Sequence, residues 1–194
     1  MPVKRSFYFI RHGQTDWNKE ARLQGSTDIP LNAAGRQQAL AASQAVKHLP
    51  IDLIITSKLS RAKETAEIIN LTLKKPLFVD ARISERDYGV FEGLTTDERE
   101  LVKEQALKEN PHCLEETGYP VPENSEPYAV FKTRVFQSIN DHLTTHENKN
   151  ILFVAHTAVY KTIYRTIFQD SMQPKNAAPY IFEKTEGLWS LKKI

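Results

Sequence analysis

Cysteine is almost missing from this chain: Cys113 is the only one in 194 residues, so no intrachain disulfide can form and thiolate metal clusters are excluded. A charge excess of one sign is missing too. The 26 Lys and Arg residues nearly cancel the 24 Asp and Glu residues, for a net charge of +2. Basic residues are interleaved with acidic ones, as in Glu98-Arg99-Glu100, and there is no basic tail. A nucleic-acid face is therefore not expected, and any anion site must be local. No apolar run approaches the length needed to span a bilayer. Only four apolar residues follow Lys4 and Arg5, too few for a secretory signal core, so a cytoplasmic location is expected. No sequence repeats and no linker divides the chain, which reads as one domain over residues 1–194.

What is present is an alternation of short apolar runs with amphipathic stretches. Phe7-Tyr8-Phe9-Ile10, Leu53-Ile54-Ile55, Leu77-Phe78-Val79 and Ile151-Leu152-Phe153-Val154-Ala155 read as strands of a sheet covered on both faces. Between them lie four expected helices. One runs from Ala33 to Leu49, capped by Asn32, with Leu40, Ala41, Ala45 and Leu49 on its apolar face. A second runs from Arg61 to Leu73 behind Ser60 as N-cap. A third, polar and acid-rich, starts at Thr95 or Thr96 and reaches Asn110. The fourth spans Tyr128 to His146, with Val130, Phe131, Val135, Ile139 and Leu143 spaced to pack on the sheet. A further helix, Ala158 to Phe168, follows Thr157 as a candidate N-cap, and edge strands are expected around Tyr180-Ile181-Phe182 and Leu188-Trp189-Ser190. Pro111 to Pro127, with four prolines and no periodicity, reads as a loop covering the site. This pattern is that of an α/β protein with a largely parallel central sheet and helices on both faces.

Parallel strands point the same way, so the residues that follow them gather on one edge of the sheet, where ligands of such folds bind. The first strand runs into Arg11-His12-Gly13, the last into His156, and Arg61 opens a helix after the second. An Arg in a helix's first turn opposes the helix dipole and requires a reason; an anion at that helix start, or a surface pair with Glu64, are the two alternatives. Two Arg and two His around one point suit a phosphate, whose oxygens match planar guanidinium groups. No HExxH, Walker loop or Asp cluster accompanies them, and Arg11 beside His12 would repel a cation, so no metal and no cofactor is expected. His12 then reads as a nucleophile toward phosphorus, Arg11 and Arg61 as phosphate clamps, and Glu85, after the third strand, as the acid for the leaving group. Tyr88, three residues on, is placed to face the pocket. His48, His112, His142 and His146 read as mostly solvated.

The stretches FIRHGQTDWN, TSKLSRAKETA, ISERDYGVFEG and VAHTAVYKT, in that order between Phe9 and Thr162, resemble the four motifs of the histidine phosphatase (phosphoglycerate mutase-like) superfamily. The resemblance implies a three-layer α/β/α sandwich. It implies His12 as the phosphorylated nucleophile, Glu85 as proton donor, and Arg11, Arg61 and His156 as the rest of the phosphate pocket. Asn18 matches the family's polar pocket residue in the first motif, and Gln24 and Thr27 fall in the loop that contacts substrate in relatives. Two departures stand out. Thr157 occupies the position of a usual Gly, and a Pro-Gly-Gly-Glu-Ser type segment appears only as Pro122-Glu123-Asn124-Ser125-Glu126-Pro127. The expected partner is a small phosphorylated metabolite, with the oligomeric state open. Among the activities the resemblance allows, a phosphatase is preferred to a mutase because the stretch from Thr95 to Asn110 is short and acid-rich. A catalytically silent binder of a phosphorylated ligand is the third reading.

Overall fold

The computed structural model describes residues 3–111, 120 and 124–194. Six strands form one sheet: β1 (Phe7–Arg11), β2 (Leu53–Thr56), β3 (Leu77–Val79), β4 (Ile151–Ala155), β5 (Pro179–Thr185) and β6 (Leu188–Lys193). Their order is β3-β2-β4-β1-β5-β6. The first four pair in parallel, with Tyr8 opposite Leu152 and Ile54 opposite both Leu152 and Leu77. The last two add antiparallel, Phe9 facing Tyr180 and Phe182 facing Leu191.

Alternation along the central strands sends side chains to two separate cores. Phe7, Phe9, Ile55 and Phe153 face one side, where they pack on Phe131, Val135 and Ile139 of α5 (Tyr128–Thr145) and on Val159, Tyr160 and Ile163 of α6 (Thr157–Phe168). Tyr8, Ile10, Ile54 and Val154 face the other, against Ala42 and Val46 of α2 (Ala33–Val46) and Ala66 and Ile69 of α3 (Ser60–Leu73). The protein is thus a three-layer α/β/α sandwich. Two more helices, α1 (Asp16–Lys19) and α4 (Thr96–Glu109), lie outside these layers' buried seams, and neither has a buried residue.

Several local expectations are corrected. The buried face of α2 is Gly35, Ala39, Ala42, Ser43 and Val46, while Leu40 is 45% exposed. The small residues win because this helix comes so close to the first loop that a Cβ on Gly35 would lie 2.1 Å from the Gln14 carbonyl oxygen. Val130 of α5 is likewise turned outward. Ser60 is not a cap but the first helical residue of α3; Asp28 caps from a distant loop, its Oδ1 accepting from Ser60 N and Ser60 Oγ, both at 2.8 Å. Thr157 begins α6, and the cap position belongs to His156. A short helix, α1, interrupts the loop expected between Trp17 and Pro30, closed by a reciprocal Thr15–Asn18 capping box. The covering loop expected from Pro111 to Pro127 falls largely outside the described residues.

Candidate active site

The four parallel strands end at one edge, and the residues that follow them line a single cavity of about 600 Å³. Arg11, the last residue of β1, and His12 lie on its floor; Arg61 comes from α3, Glu85 from the segment after β3, and Thr157 and Ala158 from the start of α6.

His12 is fixed at both ends. Its backbone N–H donates to the Ala155 carbonyl at 2.9 Å, and its ring Nδ1 lies 2.7 Å from the Gly13 carbonyl. A carbonyl can only accept, so Nδ1 carries the proton and Nε2 keeps its lone pair. Burial, reinforced by Arg11 and Arg61, pushes the ring's pKa well below the ordinary imidazole range, which keeps that lone pair free at neutral pH. The turn holding this geometry has no room for a side chain: a Cβ on Gly13 would sit 2.4 Å from the Gly35 carbonyl oxygen. Thr65 Oγ1 ties the same turn to α3, accepting from Gly13 N at 3.0 Å and donating to Arg61 O at 2.6 Å.

Both arginines are buried, and each is held through its terminal nitrogens. Arg11 donates to the Pro174 carbonyl at 3.1 Å, and Arg61 to the carbonyls of Thr27 at 2.8 Å and Gly25 at 2.7 Å. Arg61 has no contact with Glu64, which pairs instead with Arg36 at 2.6 Å. The dipole conflict noted in the sequence is therefore resolved by carbonyls and by the site itself. Burial and the nearby Arg61 lower the Arg11 pKa to about 10, still cationic at neutral pH. Among the described residues, Arg11 Nε, Arg61 Nε and His156 Nδ1 are buried nitrogens without a hydrogen-bond partner. An oxyanion would satisfy them. The His156 ring lies 5.2 Å from that of His12, with its Nε2 bonded to Ser57 Oγ at 2.8 Å.

Glu85 has a different environment. Its Oε1 accepts from Arg86 N at 3.0 Å and its Oε2 from Ala158 N at 3.1 Å, so it also serves the unsatisfied first turn of α6. Desolvation nonetheless outweighs these bonds and the nearby guanidiniums, and raises its pKa.

Of the residues expected to contact substrate, Asn18, Gln24, Tyr88 and Thr157 line the cavity. Thr27 does not: its hydroxyl donates to Glu92 Oε2 and its carbonyl holds Arg61, so it forms the wall behind the pocket. Sequence reasoning missed the residues that hold these groups in place. Glu92 accepts from the backbone of Ser26, Thr27 and Tyr88 at 2.7, 2.9 and 3.0 Å, fixing the loop whose carbonyls grip Arg61. Asn176 Nδ2 donates to the His12 carbonyl at 2.9 Å and to Asn18 Oδ1 at 3.2 Å. Arg134 of α5 donates to the carbonyls of Arg82, Ser84 and Glu85 while pairing with Glu126. His142, expected to be solvated, lies 3.0 Å from Asp80 Oδ2 and is half-buried. Among the described residues, no group of three or more His, Cys, Asp or Glu is placed to hold a metal ion, and no helix is long and apolar enough to cross a membrane.

A buried histidine with a free Nε2, flanked by two guanidiniums, a second histidine and a half-buried carboxyl, has the charge and donor set that a phosphoryl group requires. The chain belongs to the histidine phosphatase superfamily (branch 1), whose family model matches residues 7–194. It is 36% identical over 188 residues to the uncharacterized phosphatase PhoE of Bacillus subtilis (strain 168), a match covering 94% of this chain and 90% of the relative. It is 37% identical over 144 residues to the probable phosphoglycerate mutase GpmB of Salmonella arizonae, covering 63% and 67% of the two chains. Among solved structures, Bacillus stearothermophilus YhfR superposes with a TM-score of 0.80 at 28% identity, over 97% of this chain and 95% of that one. A putative alpha-ribazole-5'-P phosphatase from Escherichia coli has the same fold, with a TM-score of 0.81 at 22% identity over 98% and 95%.

Proposed function

We propose that this protein is a phosphomonoesterase acting on small phosphorylated metabolites through a phosphohistidine at His12. The observation that carries the proposal is the His12 ring itself. Its Nδ1–H is committed to the Gly13 carbonyl, and its Nε2 lone pair is left unprotonated beside two buried guanidiniums.

In this reading Arg11, Arg61 and His156 bind the non-bridging oxygens of the phosphoryl group. Nε2 attacks phosphorus in line as the bond to the ester oxygen breaks. Glu85, whose pKa is raised by desolvation, gives a proton to the departing alkoxide. The resulting carboxylate takes a proton from a water that attacks the phosphohistidine, which releases inorganic phosphate and restores His12 and Glu85. Ester and water become alcohol and phosphate, with charge neutralisation supplied by guanidiniums. The relative named as a phosphatase matches 90% of its own length, which supports hydrolysis over transfer to a second phosphorylated molecule.

Hydrolysis of an aryl phosphate in the presence of a chelator tests the proposal, with trapping of the acid-labile phosphoenzyme. Both should fall by at least about a thousandfold in His12→Ala. A wild-type protein that turns over normally yet never carries phosphate on His12 would refute the intermediate.

A further inference from the structure

The two histidines of the site carry opposite tautomers. His12 is protonated on Nδ1, which faces the Gly13 carbonyl. For His156 the tautomer is set by a chain of two serines. Ser57, directly after β2, and Ser84, directly before Glu85, are both buried. Ser57 Oγ accepts from Leu59 N at 3.2 Å and donates to Ser84 Oγ at 3.1 Å. A hydroxyl has one proton and two lone pairs, so only a lone pair remains for His156 Nε2, 2.8 Å away. Nε2 therefore carries a proton, and Nδ1 of the neutral ring is a bare lone pair. That nitrogen is buried and has no hydrogen-bond partner among the described residues.

The surroundings keep the free ring neutral. Burial first, then Arg61 of α3, His12 and Arg11 at the end of β1, and Arg134 of α5 hold its pKa well below the ordinary imidazole range. Glu85 is the nearby carboxyl, its Oε2 accepting from Ala158 N at the start of the helix that His156 caps. An oxyanion held by Arg11 and Arg61 thus meets a lone pair at His156, and the two repel unless a proton lies between them. A phosphomonoester gives up its last proton near about pH 6, so the ester monoanion or solvent can supply one. A bound anion also offsets the guanidiniums that disfavour a charged ring.

We propose that Ser57 and Ser84 are positioning residues that hold His156 as its Nε2–H tautomer, so that the site takes up a phosphoryl oxygen together with one proton shared with His156 Nδ1. This rests on the phosphatase reading and specifies the proton count of the substrate bound. Neither serine lines the cavity, so both act through His156. During transfer the ester oxygen–phosphorus bond breaks and the bond from phosphorus to His12 Nε2 forms. The shared proton stays between His156 Nδ1 and a non-bridging oxygen throughout, and it leaves with the phosphate that water releases.

Sulfate is the probe, because it matches phosphate in shape and carries no proton of its own near neutral pH. Binding is read in Glu85→Gln, which removes the other carboxyl that an anion could protonate. Calorimetry in buffers of unlike ionisation enthalpy should show about one proton taken up per sulfate, with affinity falling about tenfold per unit rise in pH. Adding Ser84→Ala frees the Ser57 proton for Nε2, so uptake should drop below about half a proton and the slope should flatten. Nitrogen-15 NMR of His156 reads the tautomer without ligand or turnover. The unsubstituted protein should show a protonated Nε2 and a bare Nδ1, and Ser84→Ala a mixture of both tautomers. A free protein with its proton on Nδ1, sulfate binding without proton uptake, or uptake unchanged by Ser84→Ala would each overturn the proposal. Proton-linked sulfate binding in a protein that hydrolyses no aryl phosphate would sink the phosphatase reading and leave the serine chain standing. Hydrolysis through a phosphoenzyme with the His156 proton on Nδ1 would do the reverse.

Discussion

Arg134 makes a sharp test of how the proposed acid is held. Its guanidinium donates to the carbonyls of Arg82 at 2.6 Å, Ser84 at 2.8 Å and Glu85 at 3.1 Å, and forks onto Glu126 at 2.6 and 2.7 Å. Both side chains of the pair are largely shielded, at 22% and 15% exposure. Arg134→Met keeps most of the aliphatic stem and deletes all five bonds. It also strands the carboxylate of Glu126, the residue whose backbone carbonyl accepts from Arg86. Breaking a shielded ion pair costs about 3–5 kcal/mol, and the orphaned carbonyls can recover part of their loss from water, so about 3 kcal/mol is expected. For a chain of this size that lowers Tm by roughly 6–12 °C, and the fold survives it. The effect on catalysis should depend on the leaving group. Glu85 retains its bonds to Ala158 N and Arg86 N but loses its backbone clamp. Hydrolysis of an alkyl phosphate, which needs the acid, should fall at least about tenfold more than that of an activated aryl phosphate. Thermal unfolding and the two kcat values decide it. A drop in Tm below about 2 °C, or equal losses on both esters, would refute the clamp.

Two other substitutions follow from the same geometry. Glu85→Gln should slow alkyl phosphates far more than aryl ones and abolish the alkaline limb of the pH profile, since desolvation raises the wild-type pKa and activity is lost as pH rises through it. Stability carries the same sign: the native carboxyl binds an extra proton between its unfolded value near 4.5 and its raised folded value, so wild type loses stability across that window as pH rises. The Tm difference, Gln variant minus wild type, should therefore grow from pH 4 to pH 8, and a flat difference would count against a raised pKa. Gly35→Ala should lower Tm despite alanine's better helix propensity, because the new Cβ would meet the Gln14 carbonyl at 2.1 Å; a stabilised variant would show that the contact relaxes freely.

The parts of the site that were legible in the sequence are those a strand end delivers. Arg11-His12 and His156 each follow an unbroken apolar run, and parallel pairing of β1 with β4 brings them together without further information. Periodicity was weaker where packing is close. It put Leu40 of α2 inward, whereas the helix buries Gly35, Ala39 and Ala42, because approach to the Gln14 backbone favours small residues over large apolar ones. The anchoring residues left no local signal at all. Glu92 grips a loop 65 residues earlier, Arg134 a segment about 50 residues earlier, and Asp28 caps a helix 32 residues later. Such polar pairs have no period, and each looks like an ordinary surface charge until the fold closes the distance. Arg61 shows the boundary well. Its conflict with the helix dipole was visible, but the carbonyls that resolve it belong to Gly25 and Thr27, and only the fold places them.

That division has a physical basis in what each group must do. A phosphate clamp needs charge and burial, and a strand end or first helical turn provides both. The proposed acid needs opposed influences. Two backbone N–H groups, from Arg86 and the first turn of α6, hold the Glu85 carboxylate in place and favour its charge, as do Arg11 and Arg61. Desolvation opposes all four and wins. A dianionic phosphate bound to the guanidiniums would cancel much of their influence on Glu85 and add repulsion of its own, pushing the proton onto the carboxyl when a leaving group needs it. The tethers fix the position of the acid, and the substrate completes its protonation. An acid set this way carries its proton most firmly in the complex and less so in the free protein. The alkaline limb should accordingly lie at higher pH in kcat than in kcat/KM, and identical limbs would remove the substrate from the argument.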